Sequence, residues 1–171
     1  MRSAEWLLSL VTTPERAAAM TGDLAETDSP VLPIFVSLLM HRLMDWRVGV
    51  LGIAGFVAQL VLGAIPPRFI ARWGGTHELL TVPVVLGLKM WFLVLMFAIG
   101  WCFEKLRPGG GLAASCALLI VNCVLIFYAL PWGHRSLLQI FSLMTHFSGY
   151  VLLAMVGAIV ARRRSLAVKR A

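Results

Sequence analysis

Four polar side chains interrupt otherwise apolar stretches of this sequence: Gln59, Lys89, Asn122 and His146. Each is costly in hydrocarbon unless it is paired, hydrated or near a membrane surface, so each is a candidate for chemistry. At a helical rise of about 1.5 Å per residue, all four fall roughly 8 to 14 Å below one membrane boundary, on four different helices. Side chains at one depth can meet. One expectation is a polar pocket open to the outer side, in which Lys89 and His146 bind an anionic or protonatable group. The other is structural: Lys89 snorkels to the surface and the remaining side chains hydrogen-bond between helices.

Other chemistries find less support. A bis-His haem site needs two imidazoles at compatible depths, but His146 is alone within a span while His41, His77 and His134 fall near interfaces. The apolar stretches carry no Asp or Glu, and there is no H-E-x-x-H, so neither proton pumping nor zinc hydrolysis is indicated. Gly109-Gly110-Gly111 lacks the Lys-Ser/Thr of a phosphate loop and reads as a flexible turn. Cys102, Cys116 and Cys123 form no C-x-x-C pair and are expected to be small buried hydrophobes. No catalytic residue, metal or cofactor is expected.

These residues need helices to position them, and composition says in what solvent. Of 171 residues, 60% are hydrophobic and 13% charged, with a mean hydropathy of +0.87. An ordinary soluble domain is about one quarter charged. The net charge of +7 sits beside apolar runs and at the C-terminus, without a basic stripe interleaved with aromatics, so it points to membrane topology and not to nucleic acid. The opening Met-Arg-Ser-Ala-Glu-Trp lacks the apolar core and cleavage site of a signal peptide, and a retained N-terminus is expected.

The expected fold is all-α: an integral membrane four-helix bundle with an N-terminal cytoplasmic helical hairpin and an interfacial helix. The hairpin occupies residues 1–28, with Trp6, Leu7, Leu10 and Val11 on one amphipathic face and a second helix opened by Thr13-Pro14-Glu15. Ser29-Pro30 opens an amphipathic interfacial helix within 29–47, continuous or bent at Asp45-Trp46-Arg47. The bundle covers 48–161, with spans at 48–65, 84–103, 112–130 and 137–161. Pro66-Pro67-Arg68 is expected to stop the first span and lead into a loop reaching Thr81; residues 162–171 form a basic tail. Gly52, Gly55, Gln59 and Gly63 share one face of the first span, and Ser142, Thr145, His146 and Gly149 one face of the fourth; such small-residue faces let helices pack closely.

Lysines and arginines set the orientation. Eleven lie in the N-terminal segment, the Gly-rich loop and the tail, against Arg68, Arg72 and Arg135 in the two other loops, so both termini are expected in the cytoplasm. Trp46 and Trp101 fall at the inner boundary, and Trp73, Tyr128 and Trp132 at the outer one, which agrees.

Glu5-Trp6-Leu7-Leu8, Thr13-Pro14-Glu15-Arg16-Ala17 and Gly22-Asp23-Leu24-Ala25-Glu26 together resemble the helical prefix before the first span of bacterial permease-associated small multi-pass membrane proteins. The resemblance covers about a quarter of the chain. It implies a cytoplasmic cap on a bacterial inner-membrane protein. Past the prefix the sequence departs from the permease pattern, with no large extracytoplasmic domain, so transport is not implied. The expected function is non-catalytic: an accessory or assembly subunit in the lipid bilayer, forming a homo-oligomer or joining a larger membrane-protein partner, without nucleic acid. The alternative is a small transporter or channel using the outer polar layer.

Overall fold

The structure is a computed structural model and describes residues 3–27, 29–74, 81–129 and 137–168. The loop at 75–80, the turn expected at 131–135, Lys169 and Arg170 lie outside the described residues. Among those described, every regular element is a helix: α1 (Ser3–Ser9), α2 (Pro14–Thr27), α3 (Val31–Leu43), α4 (Trp46–Gly63), α5 (Ile65–Gly74), α6 (Val82–Leu106), α7 (Gly111–Ala129) and α8 (Leu137–Val168). Among the described residues two stretches, Trp46–Ile70 and Val82–Leu106, are long and apolar enough to cross a membrane by length and composition, with mean hydropathies of 2.2 and 2.3.

Local chemistry explains the boundaries. Asp45 adopts extended backbone, and its carboxylate accepts the Arg47 N–H at 3.0 Å, which starts α4 and bends the chain after α3. Pro30, and not Ser29, stands at the N-cap of α3, while the Ser29 hydroxyl is engaged with Thr27. Two expectations about chain breaks are corrected. Pro66-Pro67 does not turn the chain into a loop but sits in the first turn of α5, where the missing proline N–H groups have no helical partner to lose. The basic tail is not separate either, because α8 runs on through Arg162-Arg163-Arg164 to Val168.

α6 packs along α8 and α7, α7 also contacts α4 and α8, and α4 reaches α6. Their shared core includes Val48, Met96, Phe103, Leu118, Val151 and Ala154. Close approach of α6 and α8 depends on two glycines that spacing does not single out: a methyl at Gly100 would overlap the Ala154 carbonyl, and one at Gly157 the Phe97 carbonyl. A second layer joins the N-terminal hairpin to this core. Leu8, Ala17 and Leu24 pack against α3, and Leu10 and Val11 pack with Leu112 at the start of α7. Apolar contact thus docks the hairpin onto the bundle.

Candidate functional site

The polar residues fall into two groups. In the first, Gln59 on α4 and Asn122 on α7 face each other, 5% and 3% exposed. The Gln59 amide nitrogen donates to Asn122 Oδ1 at 3.3 Å, and the Asn122 amide nitrogen donates to Gln59 Oε1 at 3.2 Å and to the Leu118 carbonyl at 2.9 Å. A carboxamide pair can close on itself in this way because each partner carries both a donor and an acceptor. Lys89 is exposed on α6 and has no bond to either amide among the described residues. His146, with Ser142 and Thr145, is in the part of α8 whose side chains lie outside the described residues.

The small residues of the same faces have distinct neighbours. Gly52 abuts Ala117 and Leu118, Gly55 abuts Phe103 and Ile99, and Gly63 abuts the Phe92 ring, whereas a methyl at Gly149 meets nothing within 4 Å among the described residues. Close by, the Trp91 indole N–H donates to the Leu62 carbonyl at 3.2 Å, adding a polar tie between α6 and α4.

The second group gathers where the hairpin, the Gly-rich loop and the end of α8 converge. Glu104 near the end of α6 is 3% exposed and Arg162 on α8 is 6% exposed. Glu104 Oε1 accepts from the Gly109 N–H at 2.8 Å and Oε2 from the Gly111 N–H at 3.1 Å, so one carboxylate shapes the whole turn. Gly109 has φ +76°, a left-handed conformation that favours glycine, and a side chain at Gly111 would strike Glu104. Arg162 Nη1 lies 3.4 Å from Glu104 Oε1, while its Nε donates to Ser9 O at 2.9 Å and its Nη2 to Thr12 O at 2.6 Å. Arg42 on α3 does the same for the adjacent carbonyl, its Nε donating to Val11 O at 3.2 Å.

Three carbonyls at the end of α1 and in the turn that follows it, those of Ser9, Val11 and Thr12, thus accept from two guanidinium groups. Carbonyls at a helix C-terminus lack intrahelical donors, and cations there also favour the helix dipole. Asp45 and Arg107 form a further ion pair between α4 and the end of α6. Chemically this arrangement holds segments together; it presents no nucleophile with a base. Among the described residues no cluster of three or more His, Cys, Asp or Glu side chains could hold a metal ion.

Sequence reasoning places Glu104 at the end of a span and Arg162 at the start of a tail, and so misses their pairing. A signal is present: Val151, Ala154, Ala158, Ala161 and Arg162 continue one buried helical face across the expected boundary. The cysteines are also corrected, since Cys102 is exposed and Cys116 and Cys123 are only half-buried. They lie on helix surfaces that are apolar on the outside as well as the inside. Comparison with protein-family models, curated proteins and solved structures yields no match for this chain.

Proposed function

We propose that this chain is a non-catalytic integral membrane protein of the bacterial inner membrane, a four-helix bundle of α4, α6, α7 and α8 that serves as an accessory or assembly subunit. The bundle crosses the bilayer four times, with both termini in the cytoplasm. Support for the spans comes from the outward surface: Val50, Ile53 and Val57 on α4 and Leu86, Met90 and Val94 on α6 are all exposed. Only 28% and 17% of the apolar windows in Trp46–Ile70 and Val82–Leu106 are buried, the reverse of a core helix in a water-soluble fold. α7 and α8, with 19 and 32 residues, are long enough to cross at about 1.5 Å per residue.

One observation carries the accessory role. The buried charged and amide side chains among the described residues, Gln59, Glu104, Asn122 and Arg162, tie one segment to another. Polar groups used in this way make a rigid scaffold, with a docked hairpin available for cytoplasmic contacts. Bifunctional crosslinking in native membranes, then detergent extraction and size analysis, tests the role. A discrete adduct larger than the 18.8 kDa chain is expected. A strictly monomeric species with no recovered partner overturns the assembly role.

A further inference from the structure

Between the N-terminal hairpin and the last turn of α3 lies a crevice of about 240 Å³, lined by Thr12, Arg16, His41, Arg42 and Asp45 together with two aliphatic side chains. Two arginines and a histidine thus face one acidic residue. That acid is already committed, since Asp45 accepts the Arg47 N–H through Oδ1 and pairs with Arg107 through Oδ2. Neither Arg16 nor Arg42 has a carboxylate partner among the described residues. Arg42 is positioned as well as charged, because its Nε bond to Val11 O anchors the guanidinium at the crevice wall. Arg16 lies in the first turn of the 14-residue α2, so the positive end of that helix dipole adds to the positive potential beside the crevice it lines.

We propose that this crevice binds a phosphate-type anion. Guanidinium forks match the paired oxygens of a phosphate, and two of them beside a helix N-terminus make a site selective for compact, multiply charged oxyanions. Trp46, exposed at the start of α4 and next in sequence to Asp45 of the crevice wall, marks the level of the inner headgroups if α4 spans the membrane. The phosphate is then either that of an anionic lipid or one free in the cytoplasm. Only the headgroup source rests on the proposed membrane spans, and neither source depends on the accessory role.

The purified full-length chain distinguishes the two sources. One arm measures thermal stabilisation in neutral detergent by inorganic phosphate, with chloride at equal ionic strength as reference. The other measures phosphatidylglycerol retained against phosphatidylcholine after extraction from vesicles of equal parts of the two, by native mass spectrometry. Arg16→Gln and Arg42→Lys are expected to weaken whichever binding is seen by on the order of tenfold, the loss of about one charge-assisted hydrogen bond. Arg16→Gln leaves the Val11 bond intact, so it separates ligand loss from misfolding. Arg163→Gln, at an exposed arginine that does not line the crevice, leaves binding unchanged. Stabilisation by phosphate alone assigns the free anion, and selective retention of phosphatidylglycerol assigns the headgroup. No response in either arm, or equal loss in Arg163→Gln, overturns the site. A chain that stays monomeric on crosslinking yet passes this test loses the assembly role and keeps the crevice.

Discussion

Arg162 reaches three partners at once, and the effect of its loss separates a buried latch from a surface ion pair. Replacing it by methionine leaves the Glu104 carboxylate without its counter-charge and the Ser9 and Thr12 carbonyls without a donor. Removing one member of a buried pair typically costs about 3 to 5 kcal/mol, against less than about 1 kcal/mol for an exposed pair. Arg162→Met is therefore expected to lower stability by about 3 kcal/mol in detergent-based denaturant unfolding, and to speed trypsin cleavage after Arg16 as the hairpin releases. Arg162→Lys retains charge but loses the planar fork, and should fall between. The amide pair behaves differently. Gln59→Leu or Asn122→Leu strands one partner and should cost about 1 to 3 kcal/mol, whereas the double substitution removes both polar groups and recovers much of the loss. A double-mutant cycle reads the coupling, and strictly additive losses would show that the two amides do not support each other.

Among the elements, helix contact is controlled by backbone proximity more than by side-chain volume. At Gly100 and Gly157 a single added methyl meets a carbonyl of the opposing helix, which cannot rotate away as a side chain tip can. Gly100→Ala is expected to force α6 and α8 apart and cost about 1 to 3 kcal/mol, the usual range for overpacking. Gly149→Ala, whose added methyl meets nothing within 4 Å among the described residues, is the matched control and should leave the melting temperature unchanged. The order and character of the helices are legible in the sequence because apolar runs and caps are local signals. Asp45 beside Trp46 and Thr13 before Pro14 show this well, and the Arg16 N–H lies 3.4 Å from Thr13 Oγ1. Pro66-Pro67 misleads because proline marks both the end of one helix and the first turn of the next, and local sequence does not say which. Gly100 and Gly157 are silent for a related reason: a glycine in an apolar run reveals its role only when the opposing backbone is known.

For the whole molecule, part of the candidate site is readable in the sequence and part is not. Gln59 and Asn122 stand out because amides are rare in apolar runs of span length, and their matching distance from the expected span ends comes from counting residues. The Glu104–Arg162 latch joins residues far apart in the chain, and charge at a span end has an obvious local explanation that hides a distant partner. That latch also bears on topology, because it fixes α1, the Gly109 turn and the end of α8 to one end of the molecule. If α6 and α8 cross a bilayer, the hairpin and the Arg163 region must lie on the same side of it, while Thr81 at the other end of α6 lies on the opposite side. In a background with Cys102, Cys116 and Cys123 replaced by alanine, single cysteines at Ser3, Arg163 and Thr81 report this with a membrane-impermeant maleimide. In spheroplasts Thr81→Cys should label and the other two only after lysis. Labelling of Ser3→Cys and Arg163→Cys from opposite sides would be incompatible with both the latch and an even number of crossings. Labelling of all three before lysis would mean that the apolar outer faces of α4 and α6 are covered by something other than a bilayer.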